Sequence, residues 1–422
     1  MKFVLKGDLV FTRTPDQFDA IPEGYVAVED GIIRFAGADL PGAYRDWPLT
    51  DAGHQMIMPG FVDLHLHAPQ YPNLGLGLDM QLLPWLETYT FPEEARYSDV
   101  DYADRVYRTL INQLWEEGTT RSVLFASIHL EATQRLADLM IESGLSAFVG
   151  KVNMDRNSPE FYVEDTEQSI KDTETFVRAY LDRSSRVKPI ITPRFVPSCS
   201  SQLMSGLGEL ANRYNVPVQS HLNENPEEID WVCQLHPESE NYCGVYDQFS
   251  LFGKQPTVMA HCIYCKGEES ALIRENSVVA VHCPHSNANL ISGIMPVKEY
   301  MADGIRVGLG SDIGAGHTLS MPQVMVLAIQ LSKMRAVAKD DKTTFLSTSE
   351  AFYLGTKGGG SFFGQVGSLE PGYLADLLVV DDAPALQGDL TLEERIQRFI
   401  YTGKASMIRK RYVEGVLLER PF

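Results

Sequence analysis

Short apolar runs alternate with longer, charged stretches through the middle of this 422-residue chain. The runs 56–67, 119–127, 147–154, 187–195, 217–222, 257–262, 278–283 and 306–311 are almost continuously hydrophobic and rich in Val and Ile. That is the pattern of parallel strands buried on both faces. Between them lie segments with helical patterning, such as 99–117, 164–182 and 201–214. Eight such strands separated by helices predict an α/β fold of the (β/α)8 TIM-barrel type. A doubly wound sheet would alternate in the same way, but no G-x-G-x-x-G or phosphate-binding loop follows any of these strands.

The two ends carry a different pattern. Residues 1–57 hold short β-like pieces broken by turns (GDLVFT, GYVAVEDGIIRFAG), and 366–422 resume the theme (VGSLEPGYLADLLVVDD, MIRKRYVEGVLLERPF). Neither end can bury a core alone, whereas together they reach about 110 residues, a comfortable domain size. The expectation is a small composite β-sandwich built from 1–57 with 366–422, beside a barrel over 58–365.

Composition narrows the partners. Hydrophobic residues make up 44% and charged residues 22%, and 36 basic against 56 acidic residues give a net charge of −20. A surface this negative repels nucleic acid and anionic membranes and leaves small molecules as the expected partners. Lys6 and Asp8 interrupt the first apolar run before it reaches signal-peptide length, and no stretch approaches the ~18 apolar residues of a membrane span. The six cysteines (Cys199, Cys233, Cys243, Cys262, Cys265, Cys283) are too sparse for a disulfide scaffold. A cytoplasmic location is expected. Cys262 and Cys265 form a C-x-x-C without a second pair, so packed thiols are the expectation, not a metal or redox site.

Chemistry gathers at the strand ends. His65-Leu66-His67 closes the first barrel strand, and period-two alternation turns both imidazoles to one side. His221 ends the fifth strand, His261 the sixth, and Ser311-Asp312 the eighth. Catalytic groups of barrel enzymes sit at these C-terminal ends, so residues remote in sequence converge. His65, His67, His221 and Asp312 offer N and O donors suited to Zn2+, with Fe2+ a second choice. A single ion is expected. The fourth strand ends Pro193-Arg194-Phe195, and its nearest lysine, Lys188, lies at its start, so nothing bridges a second ion. Glu224, just past His221, can shuttle a proton, although Asn223, Asn225 and Pro226 also read as helix-capping chemistry. Arg194 offers a fixed fork to a carbonyl or carboxylate, Phe195 a face for a flat ring, and Gln70 a donor and an acceptor together. His54, His236 and His317 read as surface or structural residues. His129 lies near enough to reach a substrate, and His282 and His285 read as structural or supporting groups.

These residues resemble a known family. PGFVDLHLH, the strand-five histidine with its glutamate, the strand-six histidine, HCPHSN and GLGSD resemble the amidohydrolase superfamily in its mononuclear deaminase branch. GSLEPGYLADLLVVD resembles that superfamily's return to its composite sandwich. HAPQYPN, LLPWLETYTFPEEAR, AFVGKVNMD, VKPIITPRF and QSHLNEN resemble the guanine deaminase family within it. The resemblance implies hydrolytic deamination of guanine to xanthine and ammonia by water that zinc activates, in a cytosolic homodimer of purine catabolism. Carried onto this chain, it implies one zinc per subunit on His65, His67, His221 and Asp312. His261 then hydrogen-bonds the hydroxide or substrate, or joins the metal shell as described for some relatives. Glu224 and Asp312 move protons. Gln70, Arg194, Phe195 and His221 hold the purine, with Arg194 at its 6-oxo group. The competing readings are a deaminase for cytosine, adenine-type or triazine substrates, and a non-catalytic homologue, which would be expected to have lost its ligands.

Overall fold

The computed structural model describes residues 1–382 and 390–422. Eight parallel strands form its centre, in chain order Phe61–His67, Thr119–Phe125, Ser146–Gly150, Val187–Pro189, Val218–Leu222, Thr257–His261, Val279–His282 and Arg306–Leu309. Strands one to four pair in sequence order, as do five to eight. Two seams close the ring. Ile191 bridges Val218 between the fourth and fifth strands. Between the eighth and the first, Asp312 N donates to His65 O at 2.8 Å and His67 N to Ile313 O at 2.7 Å. Helices including Val100–Glu116, Leu130–Ser143, Thr166–Tyr180, Ser201–Tyr214 and Met321–Ala338 cover the outside.

The strand period explains the layering. Val279 and Val281 join Val62, Leu64, Val123 and Val258 in the barrel's interior cluster, whereas Ala280 packs outward with the helices. Local signals set the helix starts. Asp99 caps Val100–Glu116 by accepting from Asp101 N and Tyr102 N, and Ser200 caps Ser201–Tyr214 by accepting from Leu203 N.

Two predicted strands are divided. The run 56–67 breaks at Gly60 into Leu49–Pro59 and Phe61–His67, which belong to different sheets. The chain must pass close to the second strand there, because a Cβ on Gly60 would lie 2.3 Å from Thr120 Oγ1. The run 187–195 holds Val187–Pro189 and Thr192–Pro193 as separate strands. Its prolines supply no amide donor to a ladder.

A second sheet draws on both ends of the chain. Its order is Val416–Leu417, Ile408–Val413, Leu377–Val380, Leu49–Pro59, Lys2–Phe11, Asp19–Glu29 and Ile32–Gly37. It curls over on itself, since Ile33 N donates to Tyr373 O at 2.9 Å and Ala375 N to Gly31 O at 2.8 Å. Leu9, Phe11, Ile57, Leu377 and Val379 line its own core, while the alternate residues Val10, Met56, Met58, Leu378 and Val380 pack against the barrel's helices.

A buried ion pair ties the two bodies together. Arg121, on the second barrel strand, donates Nε to Asp376 Oδ2 at 2.6 Å and Nη1 to Ser146 Oγ at 2.7 Å. Asp376 lies just before Leu377–Val380 and is fully enclosed. Arg121 Nη2 also lies 3.2 Å from Glu414 Oε1, so removing Asp376 leaves the guanidinium one more exposed partner and costs up to about 3–5 kcal/mol. Asp376→Ala is therefore expected to lower the thermal midpoint clearly in calorimetry, and a midpoint equal to the parent's would contradict this role.

Candidate active site

The first strand aims its histidines through an irregularity. Its register against the second strand slips between Asp63 and Leu66. Val62 and Leu64 belong to the barrel interior and Leu66 to the outer cluster, so the phase shifts and His65 and His67 both turn to the mouth, as a bulge permits. Asp63 secures the shift, since its Oδ1 accepts from His65 N at 3.2 Å and from Ser311 N at 2.9 Å.

Four side chains meet there. His65 Nε2 is 3.2 Å from Asp312 Oδ1, His67 Nε2 is 3.6 Å from the same oxygen, and His67 Nε2 is 3.0 Å from His221 Nε2. His221 donates Nδ1–H to Arg194 O at 2.6 Å, which leaves a lone pair on Nε2. Burial holds the His67 and His221 rings well below the ordinary imidazole range and lowers His65, so all three are neutral. Burial works against the Asp312 carboxylate too, but the His65, His261 and His67 rings facing it hold its carboxyl well below the usual range. His65 Nε2 and His67 Nδ1 are buried with no hydrogen-bond partner. Donors spaced in this way match the ~3.4 Å edges of a tetrahedron with ~2.1 Å arms. The set fits one divalent cation.

Two of the positions are strained. Asp312 has φ +50° and His261 φ +72°, left-handed values that cost non-glycine residues free energy unless their surroundings fix them. The bond from Asp312 N to His65 O and that from Cys262 N to Leu222 O, both 2.8 Å, do so.

Glu224 and His261 face this cluster from one side. His261 donates Nδ1–H to Asn287 Oδ1 at 2.9 Å, and its Nε2 lies 3.5 Å from Glu224 Oε2 and 3.7 Å from Asp312 Oδ2. Burial alone would lower His261, but the Glu224 and Asp312 carboxylates raise it. The capping role near Glu224 falls to other residues: Asn225 caps Pro226–Leu235 in a box with Glu228, whose Oε2 also accepts from Glu224 N at 2.9 Å. The Glu224 side chain is thus left for the cavity, where burial pushes it up to about 7. A carboxyl there can give and take a proton near neutral pH.

The cavity, with its open mouth, spans about 410 Å3. His67, Gln70, Arg194, Phe195, His221, Glu224, His261 and Asp312 line it together with Leu82, Trp85 and Leu86. Sequence reasoning missed the residue that organises this wall. Glu94, with no exposed surface, accepts from Arg194 Nη1 at 2.6 Å, from Gln70 Nε2 at 2.7 Å and from Tyr162 OH at 2.8 Å. Gln70 Oε1 also accepts from Gly314 N at 3.0 Å, so one N–H and one lone pair of that amide stay available. Phe125, also missed, packs 4.6 Å from the His67 ring and 4.9 Å from those of His65 and His221. The signals available for Glu94 were the adjacent acidic pair Glu93-Glu94 and its place in the block LLPWLETYTFPEEAR.

The remaining histidines stay outside the cluster. His282 is buried and pushed down to about 3, and His285 to about 4, in each case chiefly by burial. His236 is buried with its Nε2 3.3 Å from Arg156 Nη2, and neither it nor His129 lines the cavity. A cation shared by four buried donors stabilises only the folded state. Chelator treatment is accordingly expected to lower the thermal midpoint, and restoring one equivalent of divalent metal per chain to raise it again; a midpoint indifferent to both would contradict the fit.

Known proteins are similar to this chain along most of its length. The Amidohydrolase family model matches residues 56–418. A guanine deaminase of Dictyostelium discoideum is 37% identical across 98% of this chain and 97% of its own, and a guanine deaminase of Homo sapiens is 39% identical across 86% and 82%. A solved guanine deaminase from C. acetobutylicum, with guanine bound in its active site, superposes with a TM-score of 0.98 at 52% identity, covering 99% of this chain and 100% of that one. No helix among the described residues is long and apolar enough to cross a membrane. A closed parallel barrel with His65, His67, His221 and Asp312 at its rim, matched by the family model over most of the chain, belongs to the amidohydrolase family.

Proposed function

We propose that this protein hydrolyses guanine to xanthine and ammonia, with zinc held by His65, His67, His221 and Asp312. The observation that carries the reading is a single buried cavity in which those donors, the Glu224 carboxyl and a wall of purine-compatible donors converge. The relative solved with guanine in its active site has the same fold across nearly the whole chain. When bound, zinc lowers the pKa of a coordinated water from ~15.7 to ~7 and so supplies the nucleophile.

The chain's own residues orient the base and move protons. The Arg194 guanidinium and the free Gln70 N–H, both braced by Glu94, present donors to the 6-oxo group. Phe195 packs along the ring. With C2 towards His65, His67 and Asp312, the Glu224 carboxyl protonates the neighbouring ring nitrogen N3 as the water oxygen bonds to C2. Asp312 takes the water's proton. His261 Nε2–H, whose ring the neighbouring Glu224 and Asp312 side chains raise from the ordinary imidazole range, donates to the oxygen as negative charge develops on it. The hydroxyl proton then passes through the Glu224 carboxylate to the amine, the C2–N bond breaks, and ammonia leaves xanthine behind.

The catalytic unit in this reading is 58–365, with 1–57 and 366–422 as its companion sandwich. Family resemblance supports a homodimer, and six free thiols support a cytoplasmic setting. The test is incubation of the metal-loaded protein with guanine, cytosine, adenine and a triazine, reading ammonia and product by chromatography. Guanine is expected to be consumed with equal yields of xanthine and ammonia. Glu224→Gln is expected to keep its metal and fold yet lose about 10²–10⁴-fold in rate. Preferential turnover of another base would overturn the substrate assignment, and near-parental turnover by Glu224→Gln would overturn the proton shuttle.

A further inference from the structure

Glu94 is fully enclosed and reaches the cavity only through Gln70 and Arg194, which line it. It comes from the short helix Phe91–Ala95. Phe91 and Glu94 are three positions apart and so share one face of that helix. The Arg194 side chain lies on that face. Its guanidinium carbon is 5.2 Å from the centre of the Phe91 ring, and its Nη1 donates to Glu94 Oε2 at 2.6 Å. The adjacent Glu93 turns the other way and accepts from Arg96 and Tyr102.

The kind of group that braces this wall decides what the wall offers. A carboxylate accepts and cannot donate, whereas the Gln70 amide can turn either end to a neighbour. Glu94 Oε1 accepts from Gln70 Nε2 at 2.7 Å, and Gly314 N donates to Gln70 Oε1 at 3.0 Å. The amide is thereby locked in one sense, with its nitrogen, not its oxygen, sharing the carboxylate with Arg194. Tyr162 OH donates to Glu94 Oε2 at 2.8 Å and completes the set. The second N–H of Gln70 and the remaining N–H groups of Arg194 are left for a ligand. An exocyclic oxo group can accept from them, and an exocyclic amino group cannot.

We propose that Glu94 is the positioning residue that makes this site select 6-oxo over 6-amino purines, by fixing which end of Gln70 stands with the Arg194 guanidinium. The proposal rests on the purine contacts assigned above. Glu94 touches no reacting atom, so its loss changes which base is accepted more than it changes the chemistry at C2. Glu94→Gln keeps the size of the side chain but replaces one acceptor oxygen by a donor. Whichever way the new amide turns, its N–H meets an N–H of Gln70 or of Arg194. Either a brace is lost or the Gln70 amide turns and brings its oxygen beside the guanidinium, and both outcomes weaken the preference for an oxo group. Tyr162→Phe removes a donor from Glu94 and leaves the Gln70 and Arg194 bonds in place.

The experiment titrates the metal-loaded proteins with hypoxanthine and adenine in a calorimeter; these bases carry a 6-oxo and a 6-amino group and no C2 amine. In parallel it compares turnover of guanine and 2,6-diaminopurine, which both carry the C2 amine. The parent is expected to hold hypoxanthine about ten- to hundred-fold more tightly than adenine, the scale of a hydrogen bond to a charged group. Glu94→Gln is expected to bring the two affinities within about three-fold and to lower the guanine-to-diaminopurine ratio of kcat/KM about ten-fold or more. Tyr162→Phe is expected to keep the parent's preference. Should Glu94→Gln not fold, Glu94→Asp, one methylene too short to hold both partners, is expected to narrow the preference in the same direction. An undiminished preference in the Glu94 variant, an equal loss on both bases, or a parent that binds hypoxanthine and adenine alike would overturn the proposal. Binding needs no turnover, so a parent that discriminates between the bases yet leaves guanine intact refutes the functional reading alone.

Discussion

Everything at this site depends on keeping three imidazoles neutral and one carboxylate ionised in one buried cluster, with His67 3.0 Å from His221 and Asp312 3.2 and 3.6 Å from His65 and His67. Burial does the first, because a charged imidazole is penalised where it cannot be solvated. It opposes the second, and the Asp312 charge persists only because the rings facing it compensate. The rest of the barrel mouth serves this balance. Arg194 O fixes the His221 tautomer, Asn287 fixes that of His261, and Asp63 joins the first and eighth strands behind the histidines.

The opposite wall applies the same rule to substrate. Arg194 is fully enclosed, and such a charge is tolerable only when paired. Glu94 pairs it, and by holding Gln70 as well it converts two flexible side chains into a fixed pair of donors. A rigid donor surface favours an oxo group over an amino group. One buried carboxylate thus braces both of the donors that the proposed reading assigns to the purine.

The sequence made the barrel legible because parallel strands buried on both faces leave long apolar runs, and the histidine and aspartate cluster legible because barrel chemistry sits at strand ends. His65, His67, His221, His261 and Asp312 all lie where those two rules put them. The break at Gly60 was not legible, since a glycine between apolar runs does not say which sheet each run joins. Glu94 escaped because its partners lie 24, 68 and 100 positions away, a separation no local pattern encodes. The choice between capping and catalysis for Glu224 likewise needed geometry, which gave the cap to Asn225.

The central claim is that one ion on the histidine and aspartate cluster makes the water that attacks guanine. Its most direct measurement is a titration of chelated, metal-free protein with zinc while xanthine formation is followed. The account predicts no turnover at the start, a linear rise, and a sharp plateau at one zinc per chain. Turnover by the metal-free protein, or a plateau at two equivalents, would contradict it.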